Sequence, residues 1–438
     1  MSRVFYRAPS SHYPVIARGE GIYLWDTDGR RYLDGASGAL VANLGHGRRE
    51  IADSMAQQAQ AVGFAHTQRF TSAAQEELAS RLADLLPYGL QHTYPVSGGS
   101  EAVETAIKLA RYYFLERGEP ERYRVISQWP SYHGNTLGAL AASGHLTRRH
   151  PYDPLLSAAF VHVPQPAAHC GGPRASSGCC PCAERVQAAI EQVGPSTVAA
   201  LLWEPISGSA ASGFVPHRGF MAQLRALCDQ AGILLISDEV MAGMGRTGRM
   251  LGIEHHEVRP DIVTLAKGIS GGYAPLGAVV TTDHVYEAVA SGSGHFVHGF
   301  TFGGHPVACA AGAKALDILE QERLVERSAR MGVPLAEGLQ ALAREHAAVR
   351  EVRGRGLMQG LVLTTDRRSP GGRAKRLAQL AMEHGLLIYP GSGGGASRFG
   401  DHALIGPPLI ISEAEVAHLL SLLDDSLRQL AAEQNRLD

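Results

Sequence analysis

Residues 232–240, GILLISDEV, and residues 261–267, DIVTLAK, decide how this chain folds. Each is an apolar run closed by charged residues, with Asp238 and Glu239 near the end of the first and Lys267 at the end of the second. A strand covered on one face alternates apolar and polar residues, whereas a strand covered on both faces reads as a continuous apolar run. Working outward, five more short β-rich runs occur: HTYPVS (92–97), YRVISQ (123–128), AFVHVP (159–164), VAALLWEPI (198–206) and LGAVVTT (276–282). Segments with helical spacing lie between them. EAVETAIKLARYYFLERG (101–118) puts Ala102, Ala106, Leu109 and Ala110 on one stripe, and MAQLRALCDQAG (221–232) ends at Gly232, a residue suited to closing a helix. Strand and helix in alternation predict an α/β architecture around a mainly parallel seven-stranded sheet.

The two ends read differently. IARGEGIYLWDTDGRRYL (16–33) alternates like a hairpin, with a turn at Asp26–Gly29. Residues 326–438 mix helices with short strands around VRGRGLMQGLVL (352–363) and GLLIYP (385–390). Residues 1–55 and 326–438 are therefore expected to build a smaller α+β domain from both termini, and residues 56–325 the large domain.

Bulk composition narrows the function. The chain has 438 residues, 40 basic against 42 acidic, for a formal net charge of −2. Without a basic field, neither nucleic acid nor an anionic membrane is expected as a partner. The first 21 residues hold no apolar stretch of the kind a signal peptide needs, and no run of 18 apolar residues predicts a transmembrane helix. Six cysteines are too few for a disulfide scaffold, so the cytoplasm is the expected compartment.

In an open α/β sheet, ligands bind outside the carboxyl ends of the strands. The residues following the runs are Ser97-Gly98-Gly99-Ser100, Tyr132-His133-Gly134, Glu204, Asp238 and Lys267. They amount to an anion cradle, an aromatic plate, two carboxylates and a lysine. In SGGSEAVETAIKLAR (97–111) a glycine-rich turn opens into a helix, so the N–H groups of Gly99 and Ser100, with the Ser100 hydroxyl, would bind a phosphate. The competing reading is a plain helix cap at Ser100. Asp238 would hold a protonated ring nitrogen, against the reading of a solvated loop carboxylate. A partly desolvated lysine forms imines with carbonyls, so Lys267 is the decisive residue; the competing reading is a snorkelling surface lysine. Tyr132 and Val240 are placed to flank a flat ring, although either residue alone is more often core.

These residues resemble the class III aminotransferases of fold type I, which depend on pyridoxal 5′-phosphate (PLP). The resemblance runs over nearly the whole chain. It includes LWDTDGRRYLDG (24–35), SGGSEAVETAIKLAR, YHGNT (132–136), ISDEVMAGMGRTG (236–248), PDIVTLAKGISGGYAPLGA (260–278), HGFTFGGHP (298–306) and RGRGLMQGL (353–361). It implies that Lys267 is the Schiff-base lysine and proton shuttle, and that Asp238 is the partner of the ring nitrogen. It further implies Gly99 and Ser100 as phosphate ligands and Tyr132 as the ring-flanking aromatic. Thr301 would be a phosphate ligand donated by the second subunit of a homodimer, a tetramer being left open. His133, Glu204 and Val240 complete the expected cofactor pocket. The implied reaction moves an amino group from an amine donor to a keto acid in two alternating half-reactions.

Two departures narrow the substrate class. In EPISGSAASG (204–213), Ser209 stands where acetylornithine-, ornithine- and GABA-type members carry a glutamate, and Met241 stands where they often carry glutamine. Both look like the amine:pyruvate, or ω-transaminase, group. Arg398 sits where that group has a mobile arginine that grips a carboxylate, and Leu40 where some of its members place tryptophan. Arg398, Leu40, Tyr132 and Ser209 are therefore the expected substrate contacts, with no metal. The alternatives are an amino-acid-specific class III enzyme, an aminomutase or racemase of the same family, and a non-catalytic PLP-fold protein. Among other features, His169-Cys170 with Cys179, Cys180 and Cys182 lacks paired CxxC units and reads as a surface loop rather than a zinc site. Glu254-His255-His256-Glu257 reads as a solvated loop, and Cys228 and Cys309 as core.

Overall fold

The computed structural model describes residues 3–166, 181–217, 219–364, 372–392 and 400–434. Three strands, β1 (Ile16–Glu20), β2 (Tyr23–Asp26) and β3 (Arg31–Asp34), form an antiparallel meander near the N-terminus. The turn between β2 and β3 is the one expected. Oδ1 of Asp26 accepts the N–H groups of Asp28 and Arg30 at 3.1 and 2.8 Å, and Gly29 takes a positive φ of 82°.

All seven central runs become strands of one sheet. They are β4 (Leu90–Val96), β5 (Arg124–Trp129), β6 (Phe160–Pro164), β7 (Val198–Trp203), β8 (Leu234–Asp238), β9 (Ile262–Leu265) and β10 (Gly277–Thr282). Their order is β4-β10-β9-β8-β7-β5-β6, and every pairing from β9 to β6 is parallel. Only β10 runs against its neighbours, β4 and β9. Strands β7 to β10 are buried at every position, as continuous apolar runs demand when helices cover both faces.

Side-chain alternation along β8 divides the core. Leu234 and Ile236 join the cluster containing Ala102, Ala106 and Phe114 of the helix Gly99–Glu116. Leu235 joins the cluster on the other face, with Phe220, Leu224 and Cys228 of the helix Phe220–Ala231. Each such side chain contributes roughly 1.5–3 kcal/mol by leaving water. The second helix ends as its sequence requires, on Gly232 in the left-handed conformation.

The C-terminal part adds β11 (Val349–Arg355), β12 (Met358–Leu363), β13 (Leu386–Leu387), β14 (Tyr389–Ser392) and β15 (Asp401–Ile405). Four of these make a sheet of order β11-β12-β15-β14. The fifth, β13, pairs in parallel with β3, Leu386 opposite Leu33, so both ends of the chain share a sheet. The result is an α/β fold with a large, mainly parallel sheet and a smaller sheet domain. Among the described residues no helix is long and apolar enough to cross a membrane.

Candidate active site

The carboxyl ends of β4, β8 and β9, with the loops after β5 and β7, open on a cavity of about 460 Å³. Its wall is built from residues that lie far apart in sequence. Gly99, Ser100, Tyr132, His133, Glu204, Asp238, Val240 and Lys267, the expected cofactor contacts other than Thr301, all line it.

The helix Gly99–Glu116 starts on an extended Gly98, with no side chain capping it. Ser100 is thus inside the first turn, and the plain cap expected as the competing reading is not what forms. The first N–H groups of a helix have no intrahelical acceptor, so those of Gly99 and Ser100 remain for an anion. Glycine is needed here for space. A Cβ on Gly99 would lie 2.9 Å from Cγ1 of Val240, and one on Gly134, whose φ is +142°, would lie 2.7 Å from Oγ of Ser100. That Oγ accepts the N–H of Asn135 at 3.0 Å, which leaves its hydrogen free to donate.

Asp238 ends β8 almost fully buried, and the surrounding groups hold it in place. Its Oδ2 lies 2.7 Å from Nδ1 of His133. Its Oδ1 accepts from Thr264 Oγ1 and from the N–H of Val240, both at 3.1 Å. Nε2 of His133, on the far side of the ring, is buried without a partner. Glu204 Oε1 accepts the N–H of Gly208 at 3.2 Å, and its Oε2 is buried without a hydrogen-bond partner within normal geometry. Burial, reinforced by the charge of Asp238, pushes the Glu204 carboxyl up to about 7.

Lys267 follows β9 at a φ of +52°, a left-handed conformation that is strained for any side-chain-bearing residue. Its side chain borders the cavity, and enclosure by protein pushes its ammonium down to about 8, with Asp238 and Glu204 opposing the shift. A lysine in that state holds a substantial neutral fraction near neutral pH and is a nucleophile.

The class-III aminotransferase model matches residues 6–427 of this chain. The chain belongs to the class III aminotransferases. The aminotransferase is 35% identical to YodT of Bacillus subtilis, an uncharacterized aminotransferase, over 97% of each chain. It is also 35% identical to the taurine–pyruvate aminotransferase of Rhodobacter capsulatus, over 95% of this chain and 92% of that one. An amine transaminase from an uncultivated Pseudomonas species, solved in its PLP-bound form, superposes with a TM-score of 0.89 at 35% identity, covering 98% of this chain and 99% of the other. Family members depend on PLP. The donor set here fits that group, with a backbone cradle that a Cβ would fill, a fixed carboxylate and a depressed lysine.

The remaining expected contacts fall in different places. Ser209 and Met241 line the cavity. Leu40 is 1% exposed and packs with Ile206, Ala242, Met358 and Leu404; its neighbour Val41 is the one on the cavity wall. Thr301 is exposed and does not line the cavity of its own chain. Arg398, Cys170, Cys179 and Cys180 lie outside the described residues. Cys228 and Cys309 are core, as expected. The Glu254–Glu257 segment is not a solvated loop: His255 and His256 are half-buried against the carbonyls of Thr247 and Pro205.

Three supporting residues had no role assigned from sequence. Arg246 is fully buried and donates to the carbonyls of Leu357 and Pro407 and to Ser37 and Asn43, tying both termini to the large sheet. Its signal was the GRTG motif. Glu239 accepts the N–H groups of Gly252 and Ile253 and braces the turn after β8. Arg148 lies with its guanidinium 4.4 Å over the Tyr132 ring, a contact that nothing in local sequence announces.

Proposed function

We propose that this aminotransferase moves an amino group from an amine or ω-amino acid to pyruvate in two alternating half-reactions, with PLP as the carrier. The observation that carries the reading is Ser209. Where a glutamate would fix a neighbouring cation permanently, a serine with an unpartnered buried hydroxyl sits on the cavity wall. A pocket without that fixed carboxylate suits donors that lack an α-carboxylate. When bound, PLP supplies a carbonyl that captures amines and a ring that withdraws electrons.

The chain's own residues do the rest. The N–H groups of Gly99 and Ser100 hold the phosphate. Asp238, locked by His133, Thr264 and Val240, keeps the ring nitrogen protonated. Tyr132 and Val240 confine the ring, and His133 and Glu204 close the wall. The neutral amine of Lys267 would take the proton from the substrate carbon beside nitrogen and hold it for the return step. Arg398 offers its planar fork to the carboxylate of the keto acid. Thr301 serves the phosphate of a second subunit, a reading supported by the exposed apolar Val297, Phe302 and Phe64 around it. Thr301→Ala then weakens PLP retention and dimer stability together, and a monomer that keeps PLP and full activity overturns the assignment.

The experiment is a donor panel with pyruvate as acceptor, following alanine. Conversion of a carboxylate-free amine such as 1-phenylethylamine supports the reading, and Arg398→Ala then raises KM for pyruvate far more than it changes that amine's half-reaction. Turnover of α-amino acids alone favours an amino-acid-specific enzyme. Turnover without any keto acid favours an aminomutase or racemase.

A further inference from the structure

A second cavity, of about 210 Å³, meets the active site at Ser209, which lines both. Arg148 and His145 contribute one side of it, and Lys375, Tyr389 and Gly391 of the C-terminal part contribute the other. Among the described residues two permanent cations line it and no aspartate or glutamate does.

Their neighbours show how unusual this is for the chain. Arg149 donates to the carbonyls of Leu140, Ala141 and Ser143 and is a structural residue. Arg148, one position earlier, touches the face of Tyr132, and among the described residues neither it nor Lys375 has an acidic partner. The carboxylate of Asp401 is buried, and its Oδ2 accepts the N–H groups of Arg373 and Ala374 at the start of the helix Gly372–Glu383. Burial pushes His145 down to about 4, so it adds no charge. In the shared wall, Nε2 of His402 lies 2.9 Å from the Ser209 carbonyl. Within that wall Ser209 is 4% exposed and its hydroxyl has no partner. Two cations without an acidic partner among the described residues, and an orphan hydroxyl beside a reaction site, leave a place for an anion.

We propose that this second cavity is a subsite for a carboxylate at the far end of the amino donor, held by Arg148 and Lys375 with Ser209 donating. The inference rests on the transaminase reading above and narrows its donor to ω-amino acids. A guanidinium matches the two oxygens of a carboxylate, and the adjoining lysine supplies a second point charge. The donor's amine then reaches towards Lys267 while its acid stays beyond Ser209. Arg148 also backs the ring of Tyr132, so the cation that reads the donor steadies the side chain flanking the cofactor.

The test compares, in the PLP-loaded enzyme with pyruvate, 4-aminobutyrate, 5-aminovalerate and 6-aminohexanoate with butylamine, pentylamine and hexylamine. At one chain length or more, kcat/KM for the acid exceeds that for the alkylamine by about tenfold or more, since a site built for a polar group discriminates against its absence. Lys375→Gln reduces that preference through KM while leaving alkylamine turnover in place, and Arg148→Gln also reduces the preference, any loss from the disturbed Tyr132 ring falling on acids and alkylamines alike. Lys375 is exposed and makes no ring contact with Tyr132, so its variant separates charge from any disturbance of that ring. Hexanoate, which has the acid and no amine, competes with hexylamine in the parent enzyme and loses affinity in both variants. The subsite is overturned if alkylamines react and no acid is preferred at any length, or if both variants lose acids and alkylamines equally. Failure of both donor classes instead overturns the transaminase reading on which the subsite depends.

Discussion

The two ends of the same seven-stranded sheet carry charge in opposite ways. At the amino end, Asp261 precedes β9, and its Oδ2 accepts from Arg225 and from the N–H of Leu235, each at 2.7 Å. His284 lies 3.3 Å from its other oxygen. Burial alone would raise this carboxyl, but those donors outweigh burial and hold it below its ordinary range. Arg122, on the same edge, donates to the carbonyls of Pro195, Val198 and Ala231. At the carboxyl end, Glu204 and His133 each keep an unpartnered buried atom, Lys267 sits in a strained backbone, and burial drives Glu204 and Lys267 towards neutrality. Strand runs of the same apolar character feed both edges. At the amino edge Asp261, Arg225 and Arg122 find partners and stabilise the fold, although Arg124 Nε there is buried without one; at the carboxyl edge the incomplete groups line the cavity where a ligand would meet them.

Substitutions on the two edges should therefore fail differently. If Lys267 is the nucleophile and proton carrier proposed, Lys267→Ala lowers transamination by on the order of 10⁴-fold while the protein stays folded. Borohydride treatment of the loaded parent enzyme attaches the pyridoxyl group to the peptide carrying Lys267; label on Lys108 or Lys314 would refute this. Asp238→Asn cannot stabilise a ring cation and lowers kcat by at least about a hundredfold with PLP still bound through its phosphate. Activity within a few-fold of the parent would mean that another group does this work.

The amino edge gives the opposite signature. Asp261→Ala removes the acceptor of the Leu235 N–H and one of the two carboxylates paired with half-buried Arg225, which keeps Asp229, and costs about 1–3 kcal/mol of stability, read as a lower Tm or denaturant midpoint. The kcat of the folded fraction stays near that of the parent, and a large loss of kcat at unchanged stability would erase the contrast between the edges. The smallest effect is in pH. The neutral amine of Lys267 is the reactive form, so PLP uptake by the apoenzyme rises with pH through about 8 and levels off above it. Asp238 favours the charged ammonium, so Asp238→Asn shifts that midpoint lower. A midpoint near that of an ordinary exposed lysine would show that Lys267 is not desolvated.

Much of this was legible residue by residue. Runs such as ILLISD and DIVTL predict doubly covered strands because the apolar pattern needs no partner to be read, and all seven runs joined one sheet. The rule that ligands gather at carboxyl ends then brought Gly99, Tyr132, Glu204, Asp238 and Lys267 to one cavity. Legibility failed where a side chain's fate depends on which surface faces it. Leu40 was expected at the substrate and is core, because the N-terminal segment turns it towards Met358 and Leu404 from the far end of the chain. The histidines 255 and 256 were expected in water, but the turn after β8 folds them onto backbone carbonyls.

The sequence by itself determined the class of architecture, the strand set, the anion cradle and the Asp238–Lys267 pair, because each depends on local period or on chain direction within the sheet. Only the tertiary structure decided the state of the site. Whether Lys267 is depressed, whether His133 meets Asp238, and whether Arg148 finds an acid or the face of Tyr132 depend on desolvation and on partners up to a hundred or more residues away. Electrostatic energies in a folded protein follow distance and burial, and neither is a property of sequence neighbours.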